Sequence, residues 1–273
     1  MQLAESISFW SAVVLYALSF AAFAIALIYK KDRLASRAVI ICNIAFMLHT
    51  TTLVLRWIQT SHPPFVSFFE SVSAATWFGV LGYLVLQSSR PGFRVVGVGV
   101  TGAAFLLLGW ASTPARPGEA LAAELQSVWL YIHATFATAG VGCFLVAAGL
   151  SMIWLWKRKH NSSVTEEHNL PAAELFSETA FRYLAAGCLF YTIMLVSGII
   201  WANQAWGRYW AWDPMETWSL ITWAQYAVYV HLHFTFKKLR GTFTAWFAIL
   251  AVVVAGFSLW GVGYVYRTVH TYG

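Results

Sequence analysis

Eight apolar runs, each close to the length that crosses a lipid bilayer, divide the chain. They lie at roughly Ser8–Tyr29, Val39–Trp57, Val66–Gln87, Val95–Ala111, Val128–Trp156, Phe181–Trp201, Trp218–Phe236 and Phe243–Tyr266. A spanning helix needs about 20 apolar residues. The pattern therefore predicts an all-α integral membrane protein with about eight transmembrane helices. No internal repeat is evident and no soluble stretch is long enough to fold alone, so residues 1–273 are expected to form a single polytopic membrane domain.

Composition and charge support a membrane protein and orient it. The chain is 59% hydrophobic and only 10% charged, whereas soluble domains are about 25% charged. Twelve of the 17 Lys and Arg follow the odd-numbered spans and four lie on the opposite side. Because basic residues favour the cytoplasmic side, both termini are expected to be extracytoplasmic. The net charge of +6 is then a topology signal, and no nucleic-acid partner is expected.

Two further patterns limit the candidate chemistry. The N-terminus carries neither a basic n-region nor a small-residue cleavage site, so the first run is expected to be a retained span. Cys42, Cys143 and Cys188 each fall inside an apolar run, and none forms a C-x-x-C pair. Buried, inert thiols are therefore expected rather than a metal cluster or a dithiol centre. The longest cytoplasmic loop, Lys157–Phe176, is polar and is expected to be a solvated connector.

The segment between the sixth and seventh runs, residues 201–218, reads WANQAWGRYWAWDPMETW and is called the tryptophan segment below. It contains five tryptophans, which are Trp201, Trp206, Trp210, Trp212 and Trp218. Interfacial belts of indole rings are common in membrane proteins. A belt usually has only one or two rings per helix end, however, and here Gly207 and Pro214 interrupt the series. We interpret the segment as an interfacial, extracytoplasmic aromatic surface for a flat ligand.

Two histidines are predicted to lie near the same outer plane. His133 is five residues into the fifth span, and His270 follows the eighth. Two histidines that converge on one flat, apolar ligand would suit bis-histidine ligation of haem iron. Arg56, Arg208 and Arg267 on that face are candidate partners for propionate carboxylates. The alternative is that His133 is a hydrogen-bonded interfacial histidine and His270 a solvated tail residue, since no sequence-local metal motif is present.

His231 is a separate candidate, deep in the seventh span. An ionisable group within a span suggests a functional site, although a neighbouring helix could also satisfy it. His49 is the possible partner within the chain for binding the same iron. Counting residues at a rise of about 1.5 Å per residue, however, places the two histidines at different depths in the membrane. His233, about 200° round the helix from His231, is expected to snorkel to the interface.

Several stretches resemble a known family. AWGRYWAWDPMETW followed by SLITWAQYAVYVHLH resembles the WWD domain of haem-handling proteins. RWIQTSHPPFVSFFES, VWLYIHATFATAG and the C-terminal HTYG extend the resemblance from about Ala45 onward. The pattern W-x-W-D-P-x-E-T at Trp210–Thr217 favours the CcsA (ResC) branch of system II cytochrome c biogenesis. The CcmC branch typically has W-D-A-R there and fewer spans, and the CcmF branch is much longer.

The resemblance implies specific roles for residues of this chain. His133 and His270 would be the extracytoplasmic axial ligands of haem b, and His231 would hold haem in transit together with a histidine of the partner CcsB (ResB). The WWD platform would consist of Trp206, Gly207, Tyr209, Trp210, Trp212, Asp213, Pro214, Glu216 and Trp218, with Arg208 beside it. Two departures stand out: Met215 replaces a usual lysine, and Ser67-Phe68-Phe69-Glu70 replaces the more frequent Asn-Leu-Tyr-Glu.

The resemblance also implies a task and a location. The chain would be a subunit of the holocytochrome c synthase, moving haem across the bacterial cytoplasmic or thylakoid membrane and presenting it to the C-x-x-C-H motif of apocytochrome c. A thioredoxin-like thiol reductant is a further implied partner. A haem exporter or chaperone without synthase activity is the first alternative, and an electron-transfer cytochrome or a plain helical scaffold are others. No acid–base catalyst is identified, because Asp213 and Glu216 are expected to cap the seventh span rather than transfer protons.

Overall fold

A computed structural model describes residues 1–113, 126–160, 170–236 and 241–267, and in those ranges every regular element is helical. This confirms the all-α class. The long helices are α1 (Gln2–Ile28), α2 (Asp32–Thr60), α3 (Phe68–Ser89), α4 (Gly97–Ala111), α5 (Val128–His160), α6 (Leu170–Trp206), α7 (Pro214–Thr235) and α8 (Thr242–Gly256). A 3₁₀ turn, Pro91–Val96, precedes α4. A π-helical turn, Phe257–Gly261, and a short α9, Val262–Val265, follow α8.

Seven helical segments in the described part of the chain are long and apolar enough to cross a membrane. The protein is therefore an integral membrane protein. Helix α7 is the long helix that does not belong to these seven segments. It has 22 residues and is about 33 Å long at 1.5 Å per residue, which is sufficient to span a membrane. Its hydropathy is lower because polar residues such as Ser219, Thr222, Gln225, His231 and His233 interrupt it.

Helix α5 is at the centre of the bundle and packs against α6, α3, α8 and α4. Of its most apolar stretch 78% is buried, against 28% for α2, which pairs with α1 at the periphery. Glycines allow the close helix crossings. A Cβ on Gly142 of α5 would lie 2.7 Å from the backbone nitrogen of Gly79 in α3. Small residues at helix crossings are typical of membrane bundles, where close van der Waals packing holds helices together.

The N-terminus of α3 is fixed by a capping box and a buried ion pair. Ser67 Oγ accepts a hydrogen bond from the Glu70 amide at 3.2 Å, and Glu70 Oε2 accepts one from the Ser67 amide at 3.1 Å. Arg56 Nε donates to Glu70 Oε1 at 2.9 Å, and Arg56 Nη1 lies 3.5 Å from Glu5. Arg56 is 8% exposed. Its predicted role as a propionate partner is wrong, because its charge is already paired inside the protein.

At the opposite end of the bundle the helices extend further than predicted, and one histidine lies elsewhere than predicted. Helix α5 continues to His160 and α6 begins at Leu170, so the described parts of the predicted connector Lys157–Phe176, residues 157–160 and 170–176, are helical, whereas residues 161–169 lie outside the described residues. Phe176 is buried against Phe93, with ring centroids 4.7 Å apart. His233 is buried rather than snorkelling, because its ring stacks on Phe181 at 3.6 Å between centroids.

The π-helical turn Phe257–Gly261 widens the last helix next to the tryptophan segment. Phe257 meets the Trp218 ring at 4.8 Å between centroids, and Trp260 Nε1 donates to Ser71 Oγ at 3.0 Å. Such turns often occur at functional sites. Here the turn joins the end of α8 to the start of α3 and α7, around the cavity described next.

Candidate functional site

A cavity of about 510 Å³ opens between the tryptophan segment, the adjacent ends of α3, α5, α6 and α7, and the π-helical turn that follows α8. Its volume falls in the range of about 300–1,000 Å³ that is usual for small-molecule sites. The lining combines aromatic and apolar side chains with few polar groups. It consists of Phe65, Val66, Ser71, Leu130, His133, Ala134, Ala137, Thr138, Met194, Leu195, Gly198, Ile199, Trp201, Ala202, Ala205, Trp206, Tyr209, Trp210, Met215, Glu216, Ser219 and Leu259.

His133 presents a defined tautomer in this cavity. Its Nδ1 lies 2.8 Å from the carbonyl oxygen of Met194 on α6. A carbonyl oxygen can only accept a hydrogen bond, so Nδ1 carries the proton and Nε2 carries the lone pair of the neutral ring. Metal-ligating histidines usually donate their second ring N–H to such an acceptor, which fixes the ring orientation. The Met194 carbonyl thus prepares Nε2 of His133 as a ligand atom.

Gly198 provides the space for that histidine. A Cβ on Gly198 would lie 2.6 Å from Nδ1 and 2.9 Å from Cε1 of His133. Any larger residue would push the imidazole away from the carbonyl one turn earlier on the same helix. The α6 backbone therefore both binds His133 and makes room for it.

Indole rings extend the wall beside His133. Trp201 lies nearly parallel to the imidazole, at 28° between planes and 6.0 Å between centroids. Trp206 meets Trp201 at 5.0 Å between centroids, at 60°. Offset and edge-to-face contacts of this kind add to apolar burial. The result is an aromatic wall that suits a flat apolar ligand.

The tryptophan segment reverses the chain between α6 and α7 through two left-handed residues. Gly207 has φ = +70°, and Trp212 has φ = +59°. Asp213 Oδ1 then accepts from the Met215 amide at 3.0 Å, and Glu216 Oε2 accepts from the amides of Ala211 (2.8 Å) and Asp213 (3.2 Å). This capping box starts α7 and confirms the predicted capping role of the two carboxylates.

The predicted site residues divide into two groups. His133, Trp206, Tyr209, Trp210 and Glu216 line the cavity. The remaining residues of the predicted platform do not, and they are Gly207, Arg208, Trp212, Asp213, Pro214 and Trp218.

Of these platform residues, Trp212 is 69% exposed. Two further predicted residues have different positions. His231 lies on the exposed surface of α7, away from the cavity. His270 lies outside the described residues, which end at residue 267.

Several cavity residues were not predicted. Phe65 and Val66 lie just before α3, Ser71 lies near its start, and Met194 and Gly198 belong to α6. The Ser67-x-x-Glu70 spacing is a capping-box signature and could have indicated an ordered helix start on this face. Nothing comparable in the sequence indicates Met194 or Gly198.

The described residues do not bring His49 and His231 together. His49 is fully buried, with Nε2 2.8 Å from Ser73 Oγ and Nδ1 3.4 Å from Tyr16 Oη. It therefore belongs to the packing of α1, α2 and α3. His231 faces outward from α7, so a shared iron between the two is not supported.

The donor set of the cavity fits a metal that brings most of its own ligands. Within the described ranges no group of three or more His, Cys, Asp or Glu could hold a bare metal ion. Haem iron is held by four porphyrin nitrogens and needs only axial donors from protein. One prepared imidazole in an aromatic cavity fits that requirement.

Comparison with known sequences gives a consistent picture. A sequence model of the family described as cytochrome C assembly protein matches residues 2–270. A cytochrome c biogenesis protein CcsA of Prochlorococcus marinus (strain MIT 9303) is 31% identical, over 84% of this chain and 82% of that protein. The proteins of the same description from Chlamydomonas reinhardtii and Spinacia oleracea are 30% and 28% identical, over 86% and 84% of this chain and 67% and 84% of theirs.

One solved structure has a similar fold. The cytochrome c heme lyase CcmF superposes with a TM-score of 0.73 at 20% identity, covering 98% of this chain and 47% of that one. The likeness concerns the fold, and this chain spans about half the length of CcmF.

Proposed function

The chain belongs to the cytochrome c assembly protein family, in its CcsA (ResC) branch of system II cytochrome c biogenesis, and from that premise we propose that it is the haem-handling subunit of the cytochrome c synthase. A role in cytochrome c maturation follows from the family itself. The finer proposal is that haem b crosses the membrane along this protein and is presented in the cavity for attachment to apocytochrome c.

The observation that supports the proposal most directly is the orientation of His133 in the cavity. His133 has its Nδ1–H on the Met194 carbonyl at 2.8 Å and stands in a cavity walled by indole rings. This arrangement supports His133 Nε2 as one axial ligand. His270 is proposed as the second, and Arg208 as a partner for a propionate carboxylate.

His231 is proposed as the site for haem in transit. Its side chain is exposed on α7, so a histidine from another membrane subunit could approach it directly. CcsB (ResB) is the proposed partner. A thioredoxin-like reductant is proposed to keep the cysteines of the apocytochrome as thiols.

The cavity is proposed to open on the extracytoplasmic face of a bacterial cytoplasmic or thylakoid membrane. The positive-inside rule supports this orientation, since most basic residues lie at the other end of the helices. The tryptophan segment would then lie at the outer interface, where C-x-x-C-H segments arrive.

The protein's contribution to the reaction is placement. Each thioether forms when a cysteine S–H adds across a vinyl C=C, the sulfur to one carbon and the hydrogen to the other, with no net oxidation. The groups that this requires are brought by haem and apocytochrome. The cavity holds the macrocycle in one orientation and excludes water, which lowers the entropic cost of the addition. Asp213 and Glu216 are occupied in capping α7, so neither is assigned a proton-transfer role.

The test is ligand replacement in the full chain purified together with its partner subunit. His133→Ala and His270→Ala should each lower co-purified haem by at least about tenfold, equivalent to about 1.4 kcal/mol, and should abolish holocytochrome formation. Exogenous imidazole should restore part of the haem signal by occupying the vacated axial position. His62→Ala is the matched control, because His62 is not among the residues that line the cavity. Normal maturation in both ligand variants would exclude the assignment.

One further measurement distinguishes a cytochrome c synthase from a haem exporter without synthase activity. The purified complex is incubated with a C-x-x-C-H peptide, and thioether formation is measured by mass spectrometry. A covalent product supports the synthase, and release of unmodified haem supports the exporter.

A further inference from the structure

The turn between α1 and α2 forms a basic depression at the end of the bundle opposite to the tryptophan segment. Its volume is about 460 Å³. The residues that line it are Lys31, Asp32, Arg33, Leu34 and Arg37. The three cations among them are exposed, and within the described residues none of the three forms an ion pair. With three cations and one carboxylate, the depression presents net positive charge to its surroundings.

The positive-inside rule explains why basic residues lie at this end of the helices, but it does not explain their arrangement. The basic residues at the end of α5 make contacts inside the protein. Lys157 Nζ lies 4.5 Å from the centroid of the Phe176 ring, and Arg158 donates a hydrogen bond to Thr242 Oγ1. In the depression the closest such contact is 5.9 Å, from Lys31 Nζ to its neighbour in the turn, Tyr29, at the limit of a cation–π interaction. These cations therefore have their charge available for an anion from outside the chain.

The backbone of the turn holds the cations close together. The Lys31 amide donates to the carbonyl oxygen of Ala26 in α1 at 3.0 Å, and the Lys31 carbonyl accepts a hydrogen bond from the first turn of α2 at 3.0 Å. Lys30 makes the reversal with φ = +52°. Arg33 and Arg37 are four residues apart on α2 and so share one face of the helix. A turn that is ordered before the ligand arrives lowers the entropic cost of binding.

The depression lies at the depth of lipid headgroups. Helix α1 has 27 residues and is about 40 Å long, whereas the hydrocarbon core of a bilayer is about 30 Å thick. Its end therefore extends into the headgroup layer. Apolar surface adjoins the charge, because Leu34 lines the depression and Ile28, the last residue of α1, is 65% exposed.

We propose that this depression binds the phosphate group of an anionic phospholipid, with Lys31, Arg33 and Arg37 as its cations. Guanidinium groups form paired, charge-assisted hydrogen bonds with phosphate, and basic pockets between transmembrane helices are known sites for acidic headgroups. The acyl chains would lie along the apolar surface beside Ile28. Such a lipid bridges α1 and α2, whose most apolar stretches are only 33% and 28% buried by protein. The inference is independent of the proposed haem-handling role.

The experiment measures lipid binding to the purified full chain by native mass spectrometry. Phosphatidylglycerol and phosphatidylcholine with the same acyl chains are titrated in turn, and phosphatidylglycerol should bind more tightly. Arg33→Gln and Arg37→Gln should each weaken its binding by about fivefold, the contribution of one basic residue near a lipid surface. Asp32→Asn should strengthen it, because a repelling carboxylate is removed. Arg90→Gln is the matched control, since Arg90 is an exposed cation at the same end of the bundle that does not line the depression.

The results that would contradict the proposal are equally specific. Equal affinity of the unsubstituted chain for the two lipids would overturn it, and so would an unchanged affinity for phosphatidylglycerol in both arginine variants. An equal loss in Arg90→Gln would reduce the effect to overall charge and also overturn the site. Inorganic phosphate is titrated separately. If it binds as tightly as phosphatidylglycerol and displaces it, the site takes free phosphate and the lipid assignment is wrong.

Discussion

The orientation of the His133 imidazole depends on Gly198, because a side chain at that position would occupy the space of the ring. We expect Gly198→Ala to displace the imidazole, because the new Cβ would lie 2.6 Å from Nδ1. Loss of such an orienting contact typically lowers metal affinity by about 10–100-fold. Haem content per protein, measured by pyridine haemochrome, should fall accordingly. Gly109→Ala is the control, since a Cβ there meets no atom within 4 Å, and equal haem in both variants would contradict the role of Gly198.

His49 is predicted to matter for stability and not for haem. It is fully buried between Tyr16 and Ser73, and removing it would leave buried polar groups without their partner, at a cost of about 1–3 kcal/mol. His49→Ala should lower the Tm of the purified protein, measured by differential scanning fluorimetry, while its haem spectrum keeps the same shape. A loss of haem as large as in His133→Ala would show that His49 belongs to the haem path.

The capping box at the start of α7 gives a prediction for the whole element. Glu216→Ala removes the acceptor of two backbone amides and should loosen residues 211–213 by about 1 kcal/mol, the usual value of a cap. Hydrogen exchange of those amides should accelerate. Glu216→Gln keeps one acceptor oxygen without charge and should retain most thioether formation. Retained haem with abolished thioether formation in Glu216→Gln would instead indicate proton transfer.

At the level of elements, the apolar runs predicted the helices well and their ends poorly. Every run lies on a helix, but α6 begins at Leu170, ahead of the predicted Phe181. Hydropathy falls where charged residues such as Glu178 and Arg182 occur, whereas the helical hydrogen bonds continue through them. The ends of spans therefore mark the limits of apolar composition and not of the helix.

The candidate site was predictable only in part, and the reason is distance along the chain. The tryptophan segment and His133 are visible in the sequence, because residue type and local density reveal them. Which rings face the cavity depends on the left-handed residues Gly207 and Trp212, and the second of these has no sequence signature. The walls formed by Phe65 and Met194 depend on the packing of α3 and α6 around α5, which no local pattern specifies.

The orientation of the whole molecule can be tested by cysteine labelling of intact cells. Single cysteines at Arg208 and Arg33, both exposed positions at opposite ends of the bundle, are treated with a membrane-impermeant maleimide. The charge asymmetry predicts labelling of the Arg208→Cys variant in intact cells and of the Arg33→Cys variant only after permeabilisation. The reverse pattern would invert the topology and place the cavity on the cytoplasmic side. Cys42, Cys143 and Cys188 are replaced by serine in the starting protein.

The most direct measurement of the central claim is the absorption spectrum of the purified full chain with its partner subunit, reduced, beside the same spectrum of His133→Ala. A haem with two axial nitrogen ligands is low-spin and gives a sharp reduced α-band, which we expect in the unsubstituted protein. In His133→Ala the band should collapse and recover in part with imidazole. An unsubstituted protein without haem, or a His133→Ala spectrum identical to it, would contradict His133 as an axial ligand in this cavity.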